Sequence, residues 1–251
     1  HRSPRVVDPT AGGMDCVTNV IMKSRKPIKI RKSWGKVRPV QEPHSTKHGK
    51  KGYTRQDEDA VIEEQLQDVD KLQHIIVDLE ATCWQGHVPK EKMEIIEVGA
   101  VRLAGDKQTV ADEFDRFVQP IHRPKLSNFC KELTGITQEQ VDAAEPFNIV
   151  FPEFLNWIGS GKYAICSWGN YDLRQFETDA KRHGLHLPHE FRANHINLKE
   201  RFACQRNIKP CGMARALKIL GIPLEGTHHR GIDDARNIAK IATASELLPE
   251  T

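Results

Sequence analysis

Three short apolar runs follow one another closely in this sequence and constrain its fold more than any other feature. QHIIVDLEAT at residues 73–82, EIIEVGAVRLAG at 94–105 and DEFDRFVQP at 112–120 are rich in residues that favour strands. Gly105 and Asp106 provide a turn between the second and third runs. Because such short connections join strands of opposite direction, we predict a three-stranded antiparallel meander.

The remaining sequence alternates between helix-like and strand-like stretches. Apolar side chains recur at helical spacing in PFNIVFPEFLNWIGS, and KYAICSW at residues 162–168 is typical of a strand. A further strand or extended segment is predicted near residues 191–197. Helices are predicted at residues 127–135, 137–144, 146–160, 170–184, 196–206, 213–221 and 231–248. This order predicts an α/β fold in which helices cover a mixed sheet.

Charge is distributed unevenly along the chain. Residues 1–56 contain 14 Lys and Arg against 3 Asp and Glu, a net charge of +11, whereas the whole chain carries +3. Residues 57–251 therefore carry a net charge of −8. We interpret residues 1–70 as a flexible basic arm with a short acidic linker, and residues 71–251 as the folded domain. The arm is either a solvated tail or a segment that binds nucleic-acid phosphates.

Cysteine usage and hydropathy restrict the cellular context. The six cysteines are scattered and form no CxxC pair, so neither a disulfide framework nor a zinc site is indicated. The sequence contains no apolar run of about 18 residues and no apolar stretch typical of a secretory signal. We therefore expect an intracellular, cytoplasmic protein that has reduced thiols and does not contact a membrane.

Two carboxylates follow the first strand-like run in positions that are unusual for acids. Asp78 and Glu80 are separated by one residue, so on a strand both side chains point to the same face. At the end of an Ile- and Val-rich strand the two charges repel each other unless a cation lies between them, and hard divalent cations prefer carboxylate oxygen. Alternatively, the strand ends at Asp78 and both acids are solvated.

Further acids and histidines occur at the starts of predicted helices. Asp172 follows the strand-like run KYAICSW, while Asp233 and Asp234 begin the last helix directly after His228 and His229. Each aspartate taken alone is explained as a helix-start charge that complements the helix dipole. A histidine five residues before an aspartate is less common, and it places an imidazole on a loop beside an anchored carboxylate.

Together these residues give Asp-x-Glu on a first strand, an Asp at a strand-to-helix turn, and His-x4-Asp at the last helix. This arrangement resembles the DEDDh 3′–5′ exonucleases of the ribonuclease-H-like fold, over residues 73–246. VDLEATC, FVQP, LTGI, SWGNYD and HRGIDDARNIA are also similar to the Eri-type exoribonuclease branch. The resemblance covers the body of the chain and none of the basic arm.

The resemblance implies that Asp78, Glu80, Asp172 and Asp234 bind two divalent ions, either Mg²⁺ or Mn²⁺. Two such ions stabilise both the attacking and the leaving oxygen of an in-line phosphoryl displacement. His229 would accept the proton of the attacking water, because an imidazole titrates near neutral pH. Glu80 and His229 are therefore the candidate catalytic residues.

The histidine register has two solutions, because His228 precedes Asp233 at the same spacing at which His229 precedes Asp234. We choose the second pair, since the resembled pattern ends in H-x-G-x-D-D-A and Ala235 follows Asp234. Asp233 is then a helix-start residue or a support for the site.

Substrate contacts are also implied by the resemblance. Ala81 and Thr82 follow Glu80 where related enzymes hold the terminal nucleotide, and Leu133 would wedge against the terminal base. Trp168 would stack on a base, since aromatic faces bind any base, or else it is a packed indole at a strand end.

The predicted function is a metal-dependent 3′–5′ exonuclease that releases nucleoside 5′-monophosphates, with RNA favoured as the substrate. A DNA-trimming or broad-specificity exonuclease is the alternative, since the sequence reveals no contact to a 2′-hydroxyl. A non-catalytic nucleic-acid-binding module is a third possibility, and the intact acid set argues against it.

Overall fold

A computed structural model of the protein describes residues 72–86 and 88–249. The predicted basic arm and acidic linker at residues 1–70 lie outside the described residues, as does the acidic segment at 57–71.

The sheet contains the following strands: β1 (Gln73–Ala81), β2 (Ile95–Leu103), β3 (Val110–Phe117), β4 (Tyr163–Ser167) and β5 (Ile196–Asn197). They lie in the order β3-β2-β1-β4-β5. β1, β2 and β3 are antiparallel neighbours, whereas β4 is parallel to β1 and β5 is parallel to β4. The predicted meander and mixed sheet are therefore confirmed.

The helices of the described chain are α1 (Asn128–Thr134), α2 (Gln138–Asp142), α3 (Phe147–Ile158), α4 (Tyr171–Arg182), α5 (His189–Ala193), α6 (Leu198–Arg206), α7 (Met213–Leu220) and α8 (Gly231–Ala244). Local chemistry explains the first two: the Ser127 hydroxyl caps α1, Gly135 ends it in the left-handed conformation, and Thr137 starts α2 with a capping box. In the described part of the chain, no helix is both long and apolar enough to cross a membrane.

The prediction of an extended segment at residues 191–197 is wrong in part. Its first half is the short helix α5, which follows Pro188 and buries Phe191 against the aromatic core. The segment becomes extended only at β5, whose two residues pair with Cys166 and Ser167 of β4. Phe191 favours a strand by propensity, but its packing partners select the helix.

Helices cover both faces of the sheet. Because side chains alternate along β1, Ile76 belongs to the apolar cluster beneath α6, α7 and α8, while Ile75 and Val77 belong to the cluster beneath α3 and α4. The second cluster is aromatic, and the Phe154 and Phe176 rings stack with centroids 5.6 Å apart. Truncating such a buried Phe to Ala costs about 3–5 kcal/mol, so this layer is a main source of stability.

Candidate active site

Three of the predicted carboxylates meet at the carboxyl end of β1. Oxygen atoms of Asp78, Glu80 and Asp234 all lie within 4.8 Å of one another. Asp78 and Glu80 project from the same face of β1, and Asp234 reaches them from the first turn of α8. The fold thus collects acids that are distant in sequence into one cluster of hard oxygen ligands.

Two glycines allow α8 to approach the sheet closely enough to deliver Asp234. Gly99 of β2 pairs with Asp78, and a Cβ atom added to Gly99 would overlap the backbone of Gly231. A Cβ atom on Gly231 would in turn lie 2.9 Å from the carbonyl oxygen of Asp78. Backbone therefore packs against backbone here, which places the positive end of the α8 dipole beside the acids.

Asp172 lies beside this cluster, in the first turn of α4. Its side chain is only 5% exposed, and its Oδ1 atom accepts a hydrogen bond of 3.1 Å from the backbone N–H of Leu79. Asp172 stands outside the group of three carboxylates defined above, but among the neighbouring charges it raises the pKa of Asp78 most. This hydrogen bond holds the Asp172 carboxylate against β1 at Leu79, the residue that separates Asp78 from Glu80.

Burial and mutual repulsion make the cluster electrostatically unfavourable as a set of bare anions. Burial is the main cause that raises the pKa of all four carboxyls: that of Glu80 to about 9, that of Asp172 to about 6, and those of Asp78 and Asp234 above their ordinary values. Neighbouring carboxylates add to the effect at Asp78 and Glu80. A divalent cation would reverse the penalty, so the donor set fits Mg²⁺ or Mn²⁺.

Both histidines contact Asp234, in different ways. The Nδ1 atom of His228 lies 2.9 Å from Oδ2 of Asp234, and the backbone N–H of His229 donates to the same oxygen at 3.1 Å. The two imidazoles stack with ring centroids 4.0 Å apart, and His229 has a left-handed backbone with φ of 66°. Ring nitrogens of both histidines and an oxygen of Asp234 lie within 4.8 Å of one another.

Asp233 is directed away from the cluster. Its carboxylate accepts the backbone N–H of Thr227 at 2.8 Å and pairs with Arg236 at 2.9 Å. Asp234, rather than Asp233, is thus the aspartate that joins Asp78 and Glu80, as the chosen register requires. The choice of His229 as the general base remains a prediction, since both imidazoles lie close to Asp234.

Glu97 and Arg230 support the site but are not among the residues predicted from the sequence. Glu97 is fully buried opposite Glu80 in the β1–β2 ladder. It accepts hydrogen bonds from the Arg230 guanidinium at 3.0 and 3.2 Å and from the backbone N–H of Gly231 at 2.9 Å. The pair ties the turn before α8 to β2. The sequence signal for Glu97 was an acid inside an apolar strand. The identity of its basic partner, Arg230, depends on the fold.

The predicted substrate residues fall into two environments. Leu133 of α1 is 38% exposed and available to a ligand, whereas Ala81 and Thr82 are buried. The Thr82 hydroxyl accepts the backbone N–H of Glu94 at 2.9 Å, so this side chain closes the end of the β1–β2 ladder. Trp168 is 8% exposed, and its indole N–H donates to the carbonyl of Cys211 at 2.9 Å. The stacking prediction for Trp168 is therefore replaced by its alternative, a packed indole.

A mixed five-stranded sheet flanked by helices, with clustered acids at the end of its central strand, defines a ribonuclease-H-like nuclease fold. The sequence profile of the family described as Exonuclease (RNase_T) matches residues 75–242. The chain belongs to this exonuclease family. The prediction of family and fold from the sequence is thus confirmed.

Known relatives place the chain within the family. ERI1 exoribonuclease 2 of Danio rerio is 38% identical over 189 residues, which cover 67% of this chain and 34% of that protein. The chain therefore spans about a third of the length of that relative. The 3′-5′ exonuclease Snipper of Drosophila melanogaster is 30% identical, with 66% of each chain covered.

A solved structure agrees with these sequence relatives. The nuclease domain of 3′hExo, described as a DEDDh family member bound to rAMP, matches with a TM-score of 0.64 and 32% identity. The match covers 68% of this chain and 90% of that domain.

Proposed function

We propose that this protein is a divalent-metal-dependent 3′–5′ exonuclease that acts on RNA and releases nucleoside 5′-monophosphates. The main support is the convergence of Asp78, Glu80 and Asp234 within 4.8 Å at the carboxyl end of β1. Burial and mutual repulsion disfavour this cluster as bare anions, and membership of the exonuclease family supports a role for bound cations in phosphodiester hydrolysis.

The proposed chemistry divides among the clustered side chains. Asp78, Glu80, Asp172 and Asp234 would hold two Mg²⁺ or Mn²⁺ ions, which supply stabilisation of the attacking and leaving oxygens. His229 would accept the proton of the attacking water. Burial and the neighbouring His228 lower the pKa of His229, so its ring is neutral and able to accept a proton at physiological pH.

RNA is the proposed substrate because the names of a sequence relative and of a structural neighbour specify RNA or a ribonucleotide. These are ERI1 exoribonuclease 2 and the 3′hExo domain bound to rAMP. Leu133 is the exposed side chain proposed to contact the terminal base. The described cysteines are all free thiols, which supports the further proposal of a reducing, intracellular location.

The test is digestion of matched 5′-labelled RNA and DNA oligonucleotides, single and double stranded, with Mn²⁺ or Mg²⁺ and with or without chelator. We expect a ladder that shortens from the 3′ end, mononucleotide products, and faster cleavage of RNA. Asp78→Asn provides the inactive control. Retardation in a gel without cleavage would assign the protein to the binding class, and equal rates on DNA would establish broad specificity.

A further inference from the structure

Glu97 carries a buried carboxylate beside the acid cluster. It pairs with Glu80 in the antiparallel β1–β2 ladder, so the two side chains share one face of the sheet. After burial, the charge of Glu97 is the largest cause that raises the pKa of Glu80 to about 9. Among the described residues, the oxygen atoms within 4.8 Å of one another belong to Asp78, Glu80 and Asp234. Glu97 thus lies close enough to act on the site, while its carboxylate is directed elsewhere.

The carboxylate oxygens of Glu97 are occupied by donors from the turn before α8. The Oε1 atom accepts the Nε and Nη2 groups of Arg230 at 3.2 and 3.0 Å, and the Oε2 atom accepts the backbone N–H of Gly231 at 2.9 Å. Because Glu97 is fully buried, these bonds replace water around its charge. A carboxylate with both oxygens bonded in this way is poorly placed to bind a metal ion, which indicates a supporting role.

Glu97 also takes the place of a helix cap. Arg230 is the N-cap residue of α8, and its side chain forms no capping hydrogen bond. The bond from the Gly231 N–H to Glu97 satisfies one of the backbone donors that a helix N-terminus leaves open. The negative charge of Glu97 complements the helix dipole at the same time. The first turn of α8, which carries Asp234, is therefore capped by an acid from another strand.

Arg230 connects this anchor to two residues of the proposed chemistry. It directly follows His229, and its carbonyl oxygen accepts the backbone N–H of Asp234 at 2.8 Å. Its own N–H donates to the carbonyl of Thr227 at 3.2 Å, which closes the turn that carries the histidines. Its guanidinium lies 5.1 Å from the centre of the Phe117 ring, so the side chain is packed as well as bonded. Holding Arg230 against β2 therefore holds His229 and Asp234 relative to β1.

We propose that Glu97 and Arg230 are positioning residues that set the metal affinity and the turnover of the acid site without contacting metal or substrate. Glu97 holds the N-terminus of α8, and Arg230 holds the turn at residues 227–230. Together they keep Asp234 and His229 directed towards the acids of β1. This inference rests on the proposed function, because it assigns the pair to the same metal site.

Calorimetric titration of the full chain with Mn²⁺, in the absence of RNA, separates positioning from charge. Arg230→Met removes a cation near the acids, so an effect of charge alone would tighten Mn²⁺ binding. Loss of position acts in the opposite direction, and we expect Mn²⁺ affinity to fall by about tenfold. Glu97→Gln combined with Arg230→Met keeps the net charge and leaves no buried charge unpaired, so this double variant should fold and show the same loss.

Two further variants control this measurement. Arg236→Met removes an arginine of the same helix that pairs with Glu113 and Asp233, and it should leave Mn²⁺ affinity unchanged. Arg230→Lys keeps the charge but not the forked geometry, so it should recover part of the lost affinity. In RNA cleavage, Arg230→Met should lower kcat by about tenfold or more with little change in KM, because the base is displaced and the substrate contacts are not. Thermal melting verifies that each variant folds.

Two results would overturn the proposal. One is Mn²⁺ binding to Arg230→Met that is as tight as, or tighter than, binding to the unsubstituted protein. The other is an equal loss of affinity in Arg236→Met, which would indicate a general effect of stability.

Failure of the proposed function has a different signature, namely an unsubstituted protein that neither binds Mn²⁺ nor cleaves RNA. Amide hydrogen exchange in the metal-free protein then decides whether the pair holds the turn. Exchange at Gly231 and Asp234 should accelerate in the double variant and not in Arg236→Met, because the contacts to Glu97 that anchor the start of α8 are weakened. Unchanged exchange at both amides would refute the positioning role.

Discussion

The two ends of strand β1 have opposite electrostatic characters. At the carboxyl end, Asp78 and Glu80 meet Asp234, and burial raises the pKa of each carboxyl. At the amino end, burial and the charges of Lys107 and Arg201 lower the pKa of His74 to about 4. The same desolvation therefore disfavours negative charge at one end and positive charge at the other.

The comparison indicates how burial acts on the charged groups at each end of β1. Clustered carboxylates favour bound cations, whereas the His74 imidazole, buried near the charges of Lys107 and Arg201, stays neutral. The carboxyl end of β1 is also the place where the N-terminus of α8 meets the sheet. This is where open α/β sheets usually bind ligands.

The largest effect is expected from neutralising one clustered acid. Asp234→Asn should lower the rate of RNA cleavage by about a thousandfold or more, because a ligand of the proposed ions is lost. Asp233→Asn is the matched control, since Asp233 contacts Thr227 and Arg236 instead, and it should retain most activity. Initial rates with Mn²⁺ measure both variants. Greater damage in Asp233→Asn would contradict the assignment of Asp234.

The next effect concerns the two imidazoles beside Asp234. His229→Asn should reduce turnover by about a hundredfold or more, the contribution of a general base. Asparagine is chosen because it tolerates the left-handed backbone that His229 adopts. His228→Asn, which removes the bond to Asp234, should cost less than about tenfold. Single-turnover rates decide between the rings, and the reverse ranking would assign the base to His228.

A backbone substitution tests how the carboxyl end is assembled. Gly99→Ala should lower the free energy of unfolding by about 3 kcal/mol and reduce metal affinity, because the added methyl group displaces Gly231 and hence Asp234. Gly105→Ala is the control, since an added Cβ atom there meets open space near the other end of the sheet. Urea denaturation and calorimetric Mn²⁺ titration measure the two changes. Equal stability of both variants would show that the close approach is dispensable.

The pH dependence of stability should have opposite signs at the two ends. The pKa of Glu80 is raised from 4.5 to about 9 and that of Asp172 from 3.8 to about 6, so the metal-free protein should lose the stability contributed by these groups as pH rises from about 4 to about 9. Mn²⁺ at about 100 times its Kd should restore about 2.7 kcal/mol at pH 8, and less at pH 5, where protons compete. Melting with Mn²⁺ or chelator measures this difference. A metal effect that did not depend on pH would argue against binding at these carboxylates.

At the amino end of β1, the pH dependence of stability has the opposite sign. The pKa of His74 is lowered to about 4, below the ordinary value of 6.5, so stability contributed by its neutral form should be lost as pH falls from 6.5 towards 4. His74→Gln should remove that loss, which urea denaturation in this pH range would detect. If His74→Gln lost as much stability between pH 6.5 and 4 as the unsubstituted protein does, His74 would not be the group responsible.

The sequence by itself determined the order of the strands and helices, the meander, and the acids predicted for the site. Alternation of apolar residues and the residue types of helix starts are local properties, so they are readable without the fold. Asp78 and Glu80 share a face because of strand periodicity alone. The family resemblance then supplied Asp172 and Asp234 as partners.

The tertiary structure decided what depends on packing between distant segments. It buried Trp168 against the core, turned residues 189–193 into a helix, and paired Glu97 with Arg230. It also brought Gly231 onto Gly99, which delivers Asp234 to β1. These outcomes arise from the burial of one surface against another, and no local pattern in the sequence specifies which surfaces will meet.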